Sequence, residues 1–438
     1  MLCCCCCCRG RDCVASLCML RSLSSVFWRS APLLSLQRAN AMMSARASKW
    51  VPTFVPIHPT DHHAVAPHPP SLIRIISYNI LAQAYVKSSL FPHSPSSCLR
   101  WKARSEAILE RLLSFDADFL CLQELDEFES FYKWKLDEHG YSSVYVQRSG
   151  RKRDGCGIFF RRARVQLVEE QAIDYNDLVP PSPIESDKTV PSLSADLLKD
   201  SNSRNPGSTW PEGRGDPSDP RVRLKRDCVA LLAAFRLIDV PTRIFILGNT
   251  QLYWDPEWPD VKLAQACYLL SWLVKFKESI QSKSDSPPLL VITGDYNSLP
   301  GDQVYNYLTS GLEENDTSQQ HTRERRRDDF EDKLLNVMPS PVQFQDSSVK
   351  HDPRMTLLRA PLPLVSLYGL VQGVHPNTNV TPGFTGPIDY IFFYPSDCLQ
   401  PRSLLALPLP GAPDIQGGLP NHTHPSDHLP IGADLAVF

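Results

Sequence analysis

Five polar stations interrupt or end apolar runs in this chain: Asn79, Glu124, Asp295 with Asn297, Asp389, and Asp427 with His428. The densest lies in Val291-Ile-Thr-Gly-Asp-Tyr-Asn-Ser-Leu-Pro300, where Asp295 and Asn297 stand two apart and so on one side of an extended backbone. A carboxylate and an amide at the rim of a core strand are costly unless something occupies them, and a metal ion or an attacking water would do so. Singly, each station has an ordinary use. Asp295 and Asn297 suit an Asx turn, Asn79 a turn cap, Glu124 an arginine partner, and His428 a hydrogen-bonded place in the core. Five such stations at strand ends point instead to one cleft. Their oxygens suit Mg²⁺, a hard cation that keeps several waters, and a phosphodiester would complete its coordination.

The elements that must position these residues are legible as periodic runs. Residues 72–81, 119–122 and 155–160 read as core strands, the last entered through the basic turn Arg151-Lys-Arg153. Residues 229–237 and 243–247 read as neighbouring strands, and 388–394, 403–407 and 430–438 as closing ones. Ile108, Leu109, Leu112 and Leu113 give a helical stripe over 101–115, and 303–312 reads as a short helix. A longer helix over 258–280 is expected to turn Val261, Ala264, Tyr268, Trp272 and Phe276 inward, with Lys262 and Gln265 outside that row. Helix-then-strand order with polar strand ends fits a layered α/β architecture. Residues 72–438 then form one catalytic domain, interrupted by an irregular, mobile surface insertion at about 179–221 and a second irregular one at about 313–362, and preceded by a linker at 51–71.

Composition narrows the classes. With 45 basic against 48 acidic side chains the net charge is -3, which excludes a general polycation and leaves only a local basic groove for nucleic acid. Of 14 cysteines, eight fall in the first 18 residues, and no Cys-x-x-Cys spacing with histidines argues for zinc. The body therefore reads as a reducing-compartment protein with buried thiols. Residues 1–50 hold one acid, Asp12, and six arginines, which reads as an organelle transit peptide, mitochondrial before plastid. A disordered tail, a start at Met42 or Met43, and a cytoplasmic or nuclear location are the alternatives. No run of about 18 apolar residues suggests a membrane span. The Asn-x-Thr sequons at Asn315, Asn379 and Asn421 read as incidental, and the charged run 323–332 as solvated. No internal repeat is visible, leucine-rich repeats included.

The motifs Ser77-Tyr-Asn-Ile-Leu-Ala-Gln83, Cys121-Leu-Gln-Glu124, Arg153-Asp-Gly-Cys156, Gly294-Asp-Tyr-Asn-Ser298, Ile388-Asp-Tyr-Ile391 and Ser426-Asp-His-Leu-Pro430 resemble, in order and spacing, the endonuclease–exonuclease–phosphatase superfamily. Within it, Leu252-Tyr-Trp-Asp-Pro-Glu257 and Asp260-Val-Lys-Leu-Ala-Gln265 look like the carbon catabolite repressor-type deadenylase branch, in a short form without leucine-rich repeats. The larger deadenylases use that repeat block to join a partner scaffold, so no such partner is expected.

The resemblance implies a two-sheet α/β sandwich flanked by helices, DNase I-like, with the site at one end of the sheets. It also implies roles. Glu124 is the principal Mg²⁺ ligand, with Asp427 in the metal shell and Asn79 orienting metal and phosphate. Asp295 acts on the attacking water, as base or through a second ion, and Asn297 positions that water. His428 contacts the scissile phosphate, and Asp389 fixes its ring. The expected reaction is Mg²⁺-dependent removal of 3′-terminal nucleotides, with one ion or two, from single-stranded RNA, above all poly(A). Trp254 and Tyr253 are candidates to stack on a base, and Lys152 and Arg153 to meet phosphates.

One position departs from the pattern. The family motif Asn-Thr-His-Leu is Asn249-Thr-Gln-Leu252 here, so the amide of Gln251 stands where a phosphate-contacting histidine is expected. An amide donates hydrogen bonds but carries no charge, and losing one preorganised contact costs roughly 10²–10³-fold in rate. Two alternatives therefore stay open. One is a phosphatase or phosphodiesterase acting on a small nucleotide (a 2′-phosphate, 2′,5′ or cyclic phosphate). The other is a catalytically weakened RNA-binding protein.

Overall fold

Strand β2 (Ser71–Asn79) shows how the layers arise. Ile73 and Ile75 point one way, Ile76 and Tyr78 the other, and all four are buried. A strand covered on both faces reads as a continuous apolar run, which is why it is plain in the sequence. The computed structural model describes residues 51–57, 70–181, 216–310 and 359–438. The expected targeting stretch 1–50, Asn315, the charged run 323–332 and most of both insertions lie outside the described residues.

β2 belongs to a seven-stranded sheet. Its order is β1 (Phe54–Pro56), β14 (Leu399–Leu405), β15 (Ile431–Val437), β2, β3 (Phe119–Gln123), β5 (Gly155–Arg161) and β4 (Tyr141–Gln147). The second sheet has six strands. They run β10 (Val365–Ser366), β13 (Asp389–Phe393), β9 (Leu289–Asp295), β8 (Ile244–Gln251), β7 (Val229–Leu237) and β6 (Val165–Asp174). A ribbon of β11 (Asn379–Val380) and β12 (Thr385–Gly386) stands apart from both. The expected two-sheet α/β sandwich is thus the observed architecture.

Between the sheets, Ile73, Ile75 and Phe119 meet Phe235, Leu247 and Val291, with the Phe119 and Phe235 rings 4.9 Å apart edge to face. Helix α1 (Trp101–Ser114) covers the outside of the first sheet with Ile108 and Leu112. Helix α2 (Pro259–Gln281) covers the second with Leu269, Leu270, Leu273, Phe276 and Ile280. Truncating such a leucine to alanine costs about 2–5 kcal/mol.

Several elements differ from expectation. The buried row of α2 lies beside the expected one: Ala264, Tyr268 and Trp272 are only partly covered, whereas Lys262 and Gln265 are buried. Apolar residues flank both sides of the row, so the sequence leaves two facings open. β8 runs on to Gln251, because Gly248, Asn249 and Thr250 are as buried as the apolar run before them. β4 and β6 carry solvated edges, with Glu169 and Glu170 in β6, and give no apolar run. Phe54–Pro56, inside the expected linker, adds an edge strand to β14. The chain is back in the core by Ala360 and Leu362, within the expected second insertion.

Topology then sets the site. β2 and β3 run parallel, as do β8 and β9, while β15 returns antiparallel to β2 and β13 to β9. The C-terminal ends of the four parallel strands and the starts of the two returning ones therefore share one end of the sandwich. Every polar station falls there. Among the described residues no helix is long and apolar enough to cross a membrane, and Cys98, Cys121, Cys156, Cys228, Cys267 and Cys398 are all free thiols.

Candidate active site

Strand register brings the polar residues to adjacent rungs. Asn79 pairs with Gln123, so Glu124 is the first residue past β3, and Gln251 and Asp389 both pair with Asp295 from opposite sides of β9. The turns leaving these strands are tight: Leu81, Glu124 and Asn297 have φ of 58°, 52° and 48°. Side chains other than glycine rarely adopt that left-handed conformation, and it concentrates where a site needs it. Gly294 (φ 150°) lets β9 close on β8, since a Cβ there would lie 2.1 Å from the carbonyl oxygen of Thr250.

At the centre, the Asn79 Nδ2 amide donates to Glu124 Oε1 at 3.1 Å and to Asp295 Oδ2 at 3.0 Å. The Leu81 N–H donates to Asn79 Oδ1 at 3.0 Å and fixes that orientation. Gln251 Nε2 makes the same bridge, at 2.8 Å to Glu124 and 3.4 Å to Asp295. A buried carboxylate, Asp295, and a half-buried one, Glu124, are thus joined by neutral amides. Burial, then Asp427, raises the Glu124 carboxyl above its ordinary range. Burial, then Asp389, pushes Asp295 up to about 7. On the other side of Asp295, the Asn297 N–H donates to Oδ1 at 3.0 Å, and the Asn297 side-chain amide is held by the Leu252 carbonyl at 3.0 Å.

His428 donates from Nδ1 to Asp389 Oδ2 at 2.8 Å, and its Nε2 lies 3.9 Å from Asp295 Oδ2. Burial opposes charge on the ring, but Asp389 outweighs it and holds His428 well above its usual value, as an imidazolium at neutral pH. Asp295, Asp389 and His428 offer ligand atoms within 4.8 Å of one another, a different trio from the expected Glu124, Asp295 and Asp427. The cause is the rung that sets Asp389 directly opposite Asp295. The His428 ring is committed through Nδ1 to Asp389, and a hard divalent cation favours oxygen donors over imidazole. The donors that fit a hard divalent cation are therefore the carboxylates of Glu124 and Asp295, which no lysine or arginine among the described residues pairs. The Asp389 Oδ1 oxygen, buried with no partner, adds to that deficit of positive charge. Half-buried Asp427 stands in the wall and acts on Glu124 through its charge.

This cluster floors a cleft of about 1150 Å³. Lys152 and Trp254 lie on its rim rather than at its centre: Lys152 Nζ is 3.3 Å from the Tyr85 hydroxyl, and Trp254 is 65% exposed. Arg153 is not among the lining residues.

Sequence reasoning missed four further residues. Phe384, 40% exposed on the turn between β11 and β12, lines the cleft as Trp254 does. Arg104 is fully buried on α1 and donates to the carbonyls of Ile80, Leu81 and Pro425, tying together two loops that carry site residues. Beneath the acids, Gln123 Nε2 donates to Asn249 Oδ1 at 2.7 Å across the two sheets. Gln123 and Asn249 had a signal, since each sits inside a strand-end motif, whereas Arg104 lies on a helix where a charged residue reads as solvated. Phe384 had none.

Comparisons with known proteins follow the same outline. The profile described as the endonuclease/exonuclease/phosphatase family matches residues 76–428. Carbon catabolite repressor protein 4 homolog 4 of Arabidopsis thaliana is 47% identical over 365 residues, which cover 83% of this chain and 77% of that protein. The CCR4-Not complex 3′-5′-exoribonuclease subunit Ccr4 of Yarrowia lipolytica is 27% identical over 391 residues, covering 83% of this chain but only 47% of that longer protein. In fold, the chain is similar to the crystal structure of ANGEL2, a 2′,3′-cyclic phosphatase, with a TM-score of 0.61 at 22% identity over 89% of this chain and 99% of that one.

Proposed function

This chain belongs to the endonuclease/exonuclease/phosphatase family, and from that premise we propose that it is a Mg²⁺-dependent 3′-exoribonuclease that shortens poly(A) tails and releases 5′-AMP. The observation that carries the reading is the carboxylate pair of half-buried Glu124 and buried Asp295, bridged by neutral amides at the floor of an open cleft. Such a pair needs positive charge beside it in its charged form, and the one ring nearby, His428, is bonded first to Asp389, at 2.8 Å against 3.9 Å to Asp295. Relatives named as 3′-5′-exoribonuclease subunits support the choice of RNA. The exposed rings of Trp254 and Phe384 on the rim suit unstacked bases.

Glu124 and Asp295 would hold the ion, with Asp427 adding negative charge nearby. When bound there, it would supply charge neutralisation at the phosphate and lower the pKa of a water. Asn297 orients the attacking water with its side-chain oxygen, and Asp295 accepts the proton. Water adds to phosphorus in line, and the bond from phosphorus to the upstream ribose O3′ breaks, that oxygen taking up a proton from solvent in the open cleft. Imidazolium His428 donates to a non-bridging oxygen as charge builds, and Asp389 holds its ring so that Nε2 faces the cleft. With Glu124 and Asp295 engaged by a metal ion, the amides of Asn79 and Gln251 would be free to donate to the same phosphate. Gln251 offers a hydrogen bond without charge, so turnover is slow rather than absent.

The test is a time course on 5′-labelled RNA ending in about twenty adenosines, with Mg²⁺, using the full chain. A ladder that stops at the non-adenosine body, reduced about 10³-fold or more in Glu124→Gln, is expected. Intact RNA together with phosphate release from 2′,3′-cyclic or 2′-phosphorylated nucleotides would replace this reading with the small-nucleotide one. RNA binding without either product would leave a silent binder.

A further inference from the structure

Lys262 is an unusual lysine. It lies in the first turn of α2, where the unpaired N–H groups of a helix already favour negative charge, so a cation there works against the helix. It is only 5% exposed, yet it lines the cleft. Its single hydrogen bond among the described residues runs from Nζ to the carbonyl oxygen of Asn297 at 2.8 Å. An ammonium has three donors, so two are left over in a nearly dry place. Burial lowers its pKa, and Asp302, Asp255 and Asp295 only partly oppose that. None of the three comes within ion-pairing distance.

A buried cation that opposes its helix and is two-thirds unpaired is expensive as a structural device alone. A neutral side chain could clamp the Asn297 carbonyl at lower cost. The expense makes sense if an anion enters the cleft and completes the lysine's set. The floor of the cleft is acidic, so a phosphate arriving there needs positive charge on its flanks as well as a metal ion.

We infer that Lys262 is a substrate-contacting residue: one ammonium N–H anchors the Asn297 carbonyl, and the other two meet a phosphate oxygen of the nucleic acid seated in the cleft. The contact links recognition to geometry. Asn297 N–H sets the rotation of the Asp295 carboxylate, so the lysine that receives the phosphate also holds the turn that aims the acid.

This inference rests on the nuclease reading, and the experiment separates the two. Binding of fluorescent oligoadenylate is measured over a range of salt in the Glu124→Gln background, with and without Lys262→Met or Lys262→Gln. Failure of the Glu124→Gln protein itself to bind would count against the nuclease reading. Given binding, Lys262→Met is expected to weaken it roughly 10-fold, the value of a lost charged hydrogen bond. It should also flatten the slope of log affinity against log salt by about 0.7, one phosphate contact to a single strand. Methionine keeps the length and apolar stem of lysine, and a melting curve checks that it folds. Lys262→Gln retains a donor for the Asn297 carbonyl without the charge, and is expected to bind as weakly as Lys262→Met. Unchanged affinity and slope in Lys262→Met, or full recovery in Lys262→Gln, would reduce Lys262 to a clamp and overturn the proposal.

Discussion

The two ends of strand β2 carry similar side chains and treat them oppositely. Near its start, Arg74 forms a double contact with Asp434, at 2.7 and 3.0 Å, and its N–H donates to Asp118. Arg164 pairs with Asp118 and Asp239, and Arg161 with Asp116, around a hollow of about 300 Å³. Every acid there faces a guanidinium. At the other end, Glu124, Asp295 and Asp427 have no lysine or arginine within ion-pairing distance among the described residues, and His428 belongs first to Asp389. The same strands thus end in a finished ion network on one side and an unfinished one on the other. Carboxylates that the protein leaves uncompensated mark where a ligand is expected to supply the charge.

The contrast can be broken most severely at His428. Asp389→Asn removes the carboxylate that keeps the ring charged, so kcat/KM should fall about 10²–10³-fold. Because the raised His428 pKa depends on that carboxylate, the alkaline limb of the pH–rate profile should move to lower pH. A profile of unchanged shape would show that His428 is not the titrating donor.

Stability gives the next largest effect, and its sign is fixed. Asp295 has its folded pKa raised from 3.8 to about 7. Below its unfolded value both states are protonated and nothing is lost. As pH rises through the interval from about 4 to 7, the folded state is penalised. Asp295→Asn should therefore raise Tm by several degrees at pH 8 and leave it nearly unchanged at pH 4. Millimolar Mg²⁺ should stabilise the parent protein at pH 8 but not the variant. Equal Tm values for the two proteins at pH 8 without metal would show that the acid pair is already compensated.

The smallest effect is expected at the paired end. Arg74 and Asp434 are partly exposed, with side-chain exposures of 31% and 17%, so Arg74→Ala should cost about 1 kcal/mol and leave turnover on oligoadenylate alone. A loss of activity with folding intact would mean that the two ends communicate and are not independent charge networks.

Much of the site could be read in advance because it sits where the sequence is least ambiguous. Strands covered on both faces give unbroken apolar runs, and the polar residue that ends each run is conspicuous, as Asn79, Glu124 and Asp295 are. Which carboxylates meet was not legible. It follows from the rung that opposes Asp389 to Asp295, and register is a property of pairing, not of either segment. Lys262 and Arg104 were misread or passed over for another reason. A charged residue on an amphipathic helix reads as solvated, and only the loops it meets reveal it as buried. Edge strands such as β6 alternate too weakly to stand out.

The closeness of β8 and β9 at Gly294 has a bearing on how such a molecule can change. Gln251 and Asp295 leave the sheet on one rung, and on the rung before it the Thr250 backbone leaves no room for a side chain at Gly294. Neither can be displaced without dragging the other, so the reaction centre is inherited as a block. The turn that bears Phe384 and the loop that bears Trp254 are under no such constraint and can be rewritten residue by residue. New substrates can therefore be acquired at the rim while the chemistry beneath them stays the same.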